Sequence, residues 1–362
     1  MLLQKKFCEH LNFELFCRYL RFSPSTCIDV GSDREYASSL VISIFILCLA
    51  VGEFILWQAL PVSCSNHEKI ETNNPIKFVT NAKGHGPFRG ERWSQLVDMD
   101  LSQWYLKNKK YESVTIKNTE DGIDISSWWI PAGDESEKRT VIVVHGINGS
   151  KKQFNQLIPA NIIANSGLNV LMIDVRNHGE SSCPDGWHFA GIEEWKDVDA
   201  AIEYLIDKKG IPERNIGIHA VSGGGLGTFF LIKNRKDLGA FSLDSGVFDW
   251  DSIVQHELEY HGVPGFTWQL AIFVAKFHGI FFDKNLPKEA LNELQERPLL
   301  VFHGKKDSRV PFFHSEKLVE YVKSINGKII FFPLEGADHT EGVLSHSEIY
   351  EDNLPKFFKT NL

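Results

Sequence analysis

From about residue 110 onward, short β-branched runs alternate with longer stretches of helical spacing, and this pattern constrains the fold more than any other feature. The runs are SVTIK (113–117), IDISSWWI (123–130), VIVVHG (141–146), NVLMID (169–174), NIGIHA (215–220), AFSLDS (240–245), PLLVFH (298–303) and KIIFFP (328–333). Between them, Trp195, Val198, Ala201, Ile202 and Leu205 repeat at helical spacing, and 313–326 and 341–358 also read as helices. The first two runs alternate apolar and polar residues, as an antiparallel pair at a sheet edge does. The later ones are continuous apolar runs, as in strands buried on both faces. Strand–helix alternation of this kind predicts a mostly parallel sheet covered by helices on both sides. Sites in such sheets form at the carboxyl ends of the strands.

Upstream, residues 40–60 read LVISIFILCLAVGEFILWQAL. That length crosses a hydrocarbon core of about 30 Å as a helix. Its one charge, Glu53, costs roughly 2.5–3.5 kcal/mol on insertion scales, which the surrounding Leu, Ile, Phe and Val offset. Trp57 fits an interfacial anchor. A buried globular helix is the competing reading. A signal peptide is disfavoured by the mixed residues that precede the run, and a lipoprotein signal ending at Cys64 by Pro61. The chain is therefore divided into an N-terminal tail (1–39), a single-pass membrane anchor (40–60), a linker and docking segment (61–109) with a short helix around Trp93–Leu106, and a main domain (110–362), and the part from about 61 onward is expected to fold without the anchor. Lys5, Lys6, Arg18, Arg21 and Arg34 before the span against Lys69, Lys77 and Lys83 after it favour a cytosolic N-terminus. The sequon Asn148-Gly149-Ser150 agrees with a lumenal domain, but it falls on the expected rim of the site, where a glycan obstructs. The side of the membrane stays open.

Composition excludes some classes. The net charge is -9, without a clustered basic stripe, which argues against nucleic-acid binding. Cys8, Cys17, Cys27, Cys48, Cys64 and Cys183 are scattered, without zinc spacing, and read as unpaired thiols. No metal or organic cofactor is called for.

Five features fall at expected strand ends. In NIGIHAVSGGGLGTFF (215–230) a buried strand runs into Ser222, then a glycine-rich turn, then a helix. A serine on a sharp strand-to-helix turn presents its Oγ clear of the backbone. The first flanking glycine of that pattern is replaced by Ala220. The helix after Gly223 directs its N-terminal amides at the site. The second feature, His145-Gly146-Ile147-Asn148, follows the VIVV run and offers the Ile147 amide, alongside that of Gly223, as an oxyanion donor. The third, Asp307 in LLVFHGKKDSRVP, and the fourth, His339 in FFPLEGADHTEG, complete the order Ser–Asp–His. Asp244, which also ends a strand, is the rival carboxylate. The fifth, DVRNHGESS (174–182), is read as structural, with Asp174 and Arg176 fastening loops.

Taken together, these motifs resemble those of the α/β-hydrolase superfamily over roughly 110–362, and the chain is similar to membrane-anchored abhydrolase-domain serine hydrolases. The resemblance implies that Ser222 is the nucleophile, His339 the base, Asp307 the acid, and the Ile147 and Gly223 amides the oxyanion donors. A cap insertion is expected at about 247–292, where FTWQLAIFVAKFHGIFF (266–282) reads either as an acyl-chain pocket or bilayer-facing lid, or as a helix packed on the sheet. The expected activity is hydrolysis of a small-molecule carboxylic ester, a lipid or acyl ester. Thioester or peptide cleavage by the same groups, and a non-catalytic binding module, are the alternatives. Protein partners are not indicated.

Overall fold

The computed structural model describes residues 34–62, 64, 72–80 and 99–362. It divides into two compact units, Met1–Val51 and Gly52–Leu362. The first helix, α1 (Arg34–Ala59), contributes to both. Its stretch Leu40–Ala59 has a mean hydropathy of 2.5, long and apolar enough to cross a membrane. Of the helix expected around Trp93–Leu106, residues 93–98 lie outside the described residues, and 99–106 do not form an α-helix. Its described part holds a single 3-10 turn, Ser102–Trp104.

The larger unit is built on an eight-stranded sheet. Its strands are β1 (Glu112–Asn118), β2 (Ile123–Ile130), β3 (Thr140–Val144), β4 (Asn169–Ile173), β5 (Ile216–Val221), β6 (Ala240–Asp244), β7 (Leu299–Gly304) and β8 (Ile329–Leu334), in the order β1-β2-β4-β3-β5-β6-β7-β8. β2 pairs antiparallel with β1 and β4, and every other pairing is parallel. This is the α/β-hydrolase architecture that the sequence implies.

Alternation along β3 shows why its run is continuously apolar. Ile142 and Val144 join one core, and Val141 and Val143 the other. The first core is covered by α3 (Trp195–Lys209) and α4 (Gly224–Asn234). The second is covered by α2 (Phe154–Asn165) and the C-terminal α10 (Ser347–Asn361). β8 departs from the expectation of burial on both faces. It is an edge strand with Ile330 48% exposed, and only Leu334 is fully buried. The stretch 341–358 is two helices, α9 (Gly342–Ser345) and α10, because His346 leaves helical geometry at φ -137°. Between β6 and β7, where the cap insertion is expected, lie the helices α5 (Trp250–Tyr260), α6 (Trp268–Ala275) and α7 (Leu286–Asn292), the last of which packs Leu286, Ala290 and Leu291 into the first core. Asp249 caps α5 by accepting from the Ser252 amide. The remaining helix, α8 (Phe313–Ser324), links β7 to β8.

Two features differ from the sequence reading. Cys64 and Cys183, expected as free thiols, form a disulfide, with Cα atoms 6.1 Å apart. Cys48 is unpaired, and Cys8, Cys17 and Cys27 lie outside the described residues. The bond pins the chain after α1 to the loop after β4. Around it, the Val62 amide donates to the Gly186 carbonyl and the His188 amide to that of Leu60. Secondly, the larger unit begins inside the apolar run. Ile55, Leu56 and Leu60 are buried to 2%, 0% and 2% exposure. A chain starting at 61 therefore lacks three core side chains, each worth about 2–5 kcal/mol when removed. A chain starting at 52 keeps them. We expect 52–362 to be monodisperse and stable in mild detergent and 61–362 to aggregate, as read by size-exclusion chromatography and thermal melting.

Candidate active site

β5 ends at Val221, and the chain turns at Ser222, which adopts φ +52°, before α4 starts at Gly224. A serine tolerates that left-handed backbone only where its surroundings enforce it. Here the Ser222 amide donates to the Asp244 carbonyl at 2.7 Å and its carbonyl accepts from Gly225. Ala220, the departure in the elbow pattern, is fully buried in the core beneath the sheet. Gly146 comes so close to the elbow that an added Cβ would stand 2.9 Å from that of Ser222. Only glycine lets the loop after β3 approach the serine in this way.

His339 bridges the other two groups. Its Nε2 lies 2.9 Å from Ser222 Oγ, and its Nδ1 lies 2.8 Å from Asp307 Oδ2. The His339 amide donates to Asp338 Oδ1, which also accepts from the amide and hydroxyl of Ser308. Asp338 thus fastens the loop after β8 to the loop after β7. Asp307 is buried, and Oδ1 accepts from the amides of Arg309 and Val310. Burial alone would push this carboxyl up. The opposing charge and hydrogen bonds of His339 and His303 outweigh it and hold Asp307 well below the usual carboxylate range.

The sequence reading missed two of these residues. His303 Nε2 lies 2.8 Å from the Val310 carbonyl, which can only accept, so this nitrogen carries the proton and is shared with Asp307 Oδ2 at 3.2 Å. The only signal for it is the strand-end motif, four residues before Asp307. Asp338 stands beside His339, where a loop carboxylate looked incidental. The rival Asp244 faces elsewhere: it accepts from Tyr350 Oη at 2.8 Å and Ser245 Oγ at 3.0 Å. Burial raises its carboxyl despite those bonds.

Neither the Ile147 nor the Gly223 amide donates to an acceptor among the described residues. The loop that carries Ile147 is held by two buried histidines. His178 Nε2 accepts from the Asn148 amide, and His145 Nε2 accepts from that of Val175. Both rings therefore carry their proton on Nδ1, where His178 donates to the Arg176 carbonyl and His145 to the Gly146 carbonyl. Arg176 and Asp174 play the fastening roles expected of them. Arg176 makes a two-point contact with Asp197 of α3, and Asp174 takes the Lys151 ammonium at 2.6 Å. His188, on the same side, is driven down to about 4, by burial first and then by His178.

Ser222 and His339 open into a cavity of about 1140 Å³. One wall comes from the end of α1 (Phe54, Ile55) and another from the cap (Ile253, Val254, Trp268, Phe282). A lone serine hydroxyl is a poor nucleophile. One hydrogen-bonded to a neutral imidazole, itself oriented by a buried carboxylate, can attack a carbonyl. Among the described residues no cluster of His, Cys, Asp and Glu has metal-binding geometry.

Comparison with known proteins gives the family and the fold. Residues 153–362 match the prolyl oligopeptidase family. The protein YfhR of Salmonella typhimurium is 24% identical over 281 residues, which cover 72% of this chain and 87% of that protein. Among solved structures, the esterase Pf2001 of Pyrococcus furiosus superposes with a TM-score of 0.56 at 24% identity, over 70% of this chain and 93% of that one. An acylaminoacyl peptidase superposes with a TM-score of 0.53 at 18% identity, over 70% of this chain and 42% of that one. The strand order, the elbow serine and the matched family agree, and the chain belongs to the prolyl oligopeptidase family of α/β-hydrolase-fold serine hydrolases.

Proposed function

We propose that this chain is a membrane-anchored carboxylic ester hydrolase acting on lipid or acyl esters, with Ser222 as nucleophile, His339 as base and Asp307 as its orienting acid. The observation that carries the reading is the continuous set of contacts from Ser222 Oγ through His339 to Asp307, opening into a cavity with apolar side chains on its walls. His339 Nε2 takes the hydroxyl proton as Ser222 attacks the ester carbonyl. The oxyanion that forms is received by the Ile147 and Gly223 amides, each worth about 3–4 kcal/mol at the transition state. The same imidazole then protonates the leaving alcohol. Water activated by His339 releases the acid from the acyl-enzyme. Peptide bonds are the second reading, favoured by the family's name and by the acylaminoacyl peptidase neighbour. The apolar side chains Phe54, Ile55, Ile253, Val254, Trp268 and Phe282 on the cavity walls favour the ester. Activity profiling against esters, thioesters and peptides separates them, and preference for the peptides overturns the ester assignment.

We place the larger unit on an oxidising side of the membrane. The Cys64–Cys183 disulfide supports this, since such bonds persist in lumenal and extracellular settings, and the basic residues before α1 agree with it.

Four outcomes are expected. Ser222→Ala abolishes fluorophosphonate labelling and hydrolysis in a folded protein. Asp307→Asn lowers kcat by about 10⁴, whereas Asp244→Asn stays within tenfold of the unmodified chain; steady-state kinetics decides which carboxylate matters. Because Asp307 stays ionised through the ordinary carboxylate range, near 3.9, its carboxyl should add no unit of slope to log kcat/KM as the pH falls through that range. A unit of slope near pH 4 that persists when His188, itself driven down to about 4, is replaced by Gln would contradict that environment. Finally, protein purified under alkylation should gain two alkylatable cysteines on reduction, mapping by mass spectrometry to Cys64 and Cys183.

A further inference from the structure

The cap exposes aromatic surface of a kind that water does not favour. Phe266, Phe277 and Phe281 are 74%, 71% and 66% exposed, and Phe54 and Trp57 at the end of α1 are 61% and 55% exposed. Single exposed apolar residues are ordinary, but a gathering of them marks a contact surface. These are gathered by identifiable contacts. His278 Nε2, next to Phe277, lies 3.0 Å from Glu53 Oε1, next to Phe54. At Gly52, an added Cβ would stand 2.6 Å from the Leu270 carbonyl oxygen, so α1 and α6 meet backbone to backbone there. Phe266 lies in the turn that leads into α6, and Phe277 packs edge-on against Phe273 of α6 at 5.4 Å.

Phe54 and Trp57 lie inside the apolar stretch Leu40–Ala59. A membrane that takes this stretch brings both residues to its interface. The Glu53–His278 pair then holds Phe277 at the same depth. The pair also gives the one carboxylate of the stretch a partner, which offsets the cost of placing it there. The cavity has its walls in the same two elements, with Phe54 and Ile55 on one side and Ile253, Val254, Trp268 and Phe282 on the other.

Building on the ester-hydrolase reading, we propose that this cap face is a second membrane contact. Phe266, Phe277 and Phe281 insert into the interfacial layer of the bilayer, and a long-chain lipid ester passes sideways from the leaflet into the cavity between α1 and the cap. The occupant of the aromatic face is the lipid surface itself, continuous with the apolar stretch of α1.

The test uses the full chain in phosphatidylcholine vesicles. With Cys8, Cys17, Cys27 and Cys48 replaced by Ser, Phe277→Cys or Phe281→Cys is labelled with a nitrobenzoxadiazole dye, and Glu120→Cys serves as control. Doxyl-labelled phosphatidylcholine should quench the two cap positions by more than half and the control by far less. Quenching no greater than the control's overturns the proposal. In a second arm the combined Phe266→Ser, Phe277→Ser, Phe281→Ser variant meets two covalent probes. Its labelling by hexadecyl fluorophosphonate carried in vesicles should slow at least tenfold, while labelling by a short soluble fluorophosphonate stays within twofold. Equal slowing with both probes, or none with the vesicle-borne one, overturns lateral entry. Absence of labelling of the unmodified chain by either probe refutes the nucleophile instead, and leaves the quenching result to decide the membrane contact.

Discussion

The buried Asp307 carboxylate is the point on which the site's arrangement depends. A charge with no exposure to water must be matched within the protein or it neutralises. Here two backbone amides bind Oδ1, and His339 and His303 bind Oδ2. Each partner comes from a different stretch: the turn after β7, the loop after β8 and the end of β7 itself. Satisfying this carboxylate therefore sets the distance between two sheet-edge loops. It also fixes the proton of His339 on Nδ1, leaving Nε2 as the acceptor for Ser222. Asp338 repeats the arrangement one layer out by binding Ser308 and the His339 amide.

The opposite side of the site is held without a charge on the reacting groups. The Ile147 loop rests on the accepting nitrogens of His145 and His178. These rings are held in turn by the segment after β4, which the Arg176–Asp197 and Lys151–Asp174 pairs tie to α3 and to the loop after β3. In the oxyanion role proposed for it, the Ile147 amide would act through preorganisation, because its dipole is already in place when charge develops. The buried ion pairs contribute little net stability in this view. What they supply is a fixed loop.

Much of the fold was legible because its signals are local. A continuous apolar run such as NVLMI has few solutions other than a strand buried on both sides, and VIVV sorts its residues onto two cores by simple alternation. The elbow was legible because strand, serine and glycines are contiguous. What escaped is non-local or depends on context. Cys64 and Cys183 are 119 residues apart, and no spacing rule joins them. KIIFFP has the composition of an interior strand but lies at the edge, because topology rather than propensity decides which strand ends a sheet. His303 was read as part of a strand, since its proximity to Asp307 arises only when the chain turns back after Gly304. The break at His346 lies in a stretch whose periodicity continues on both sides.

The apolar run illustrates a further limit of composition. Hydropathy marks 40–60 as one uniform segment, but the folded chain gives its two ends different tasks. From Gly52 the helix is part of the hydrolase body. It lacks a side chain where α6 crosses it, buries Ile55 and Leu56, and lends Phe54 to the cavity wall. Trp57 meets Trp187 edge-on at 4.9 Å, close to the disulfide that secures the chain beyond. A tether alone could tolerate a flexible joint at this point. A helix whose last turns build a wall of the cavity beside Ser222 cannot, because motion at the joint would move that wall. The β-bridge of Pro61 with Trp187, the His188 contacts with Ala59 and Leu60, and the Cys64–Cys183 bond all act within a few residues of the helix end. Their concentration there follows from that requirement: the segment that leaves the apolar run is also the segment that shapes the site.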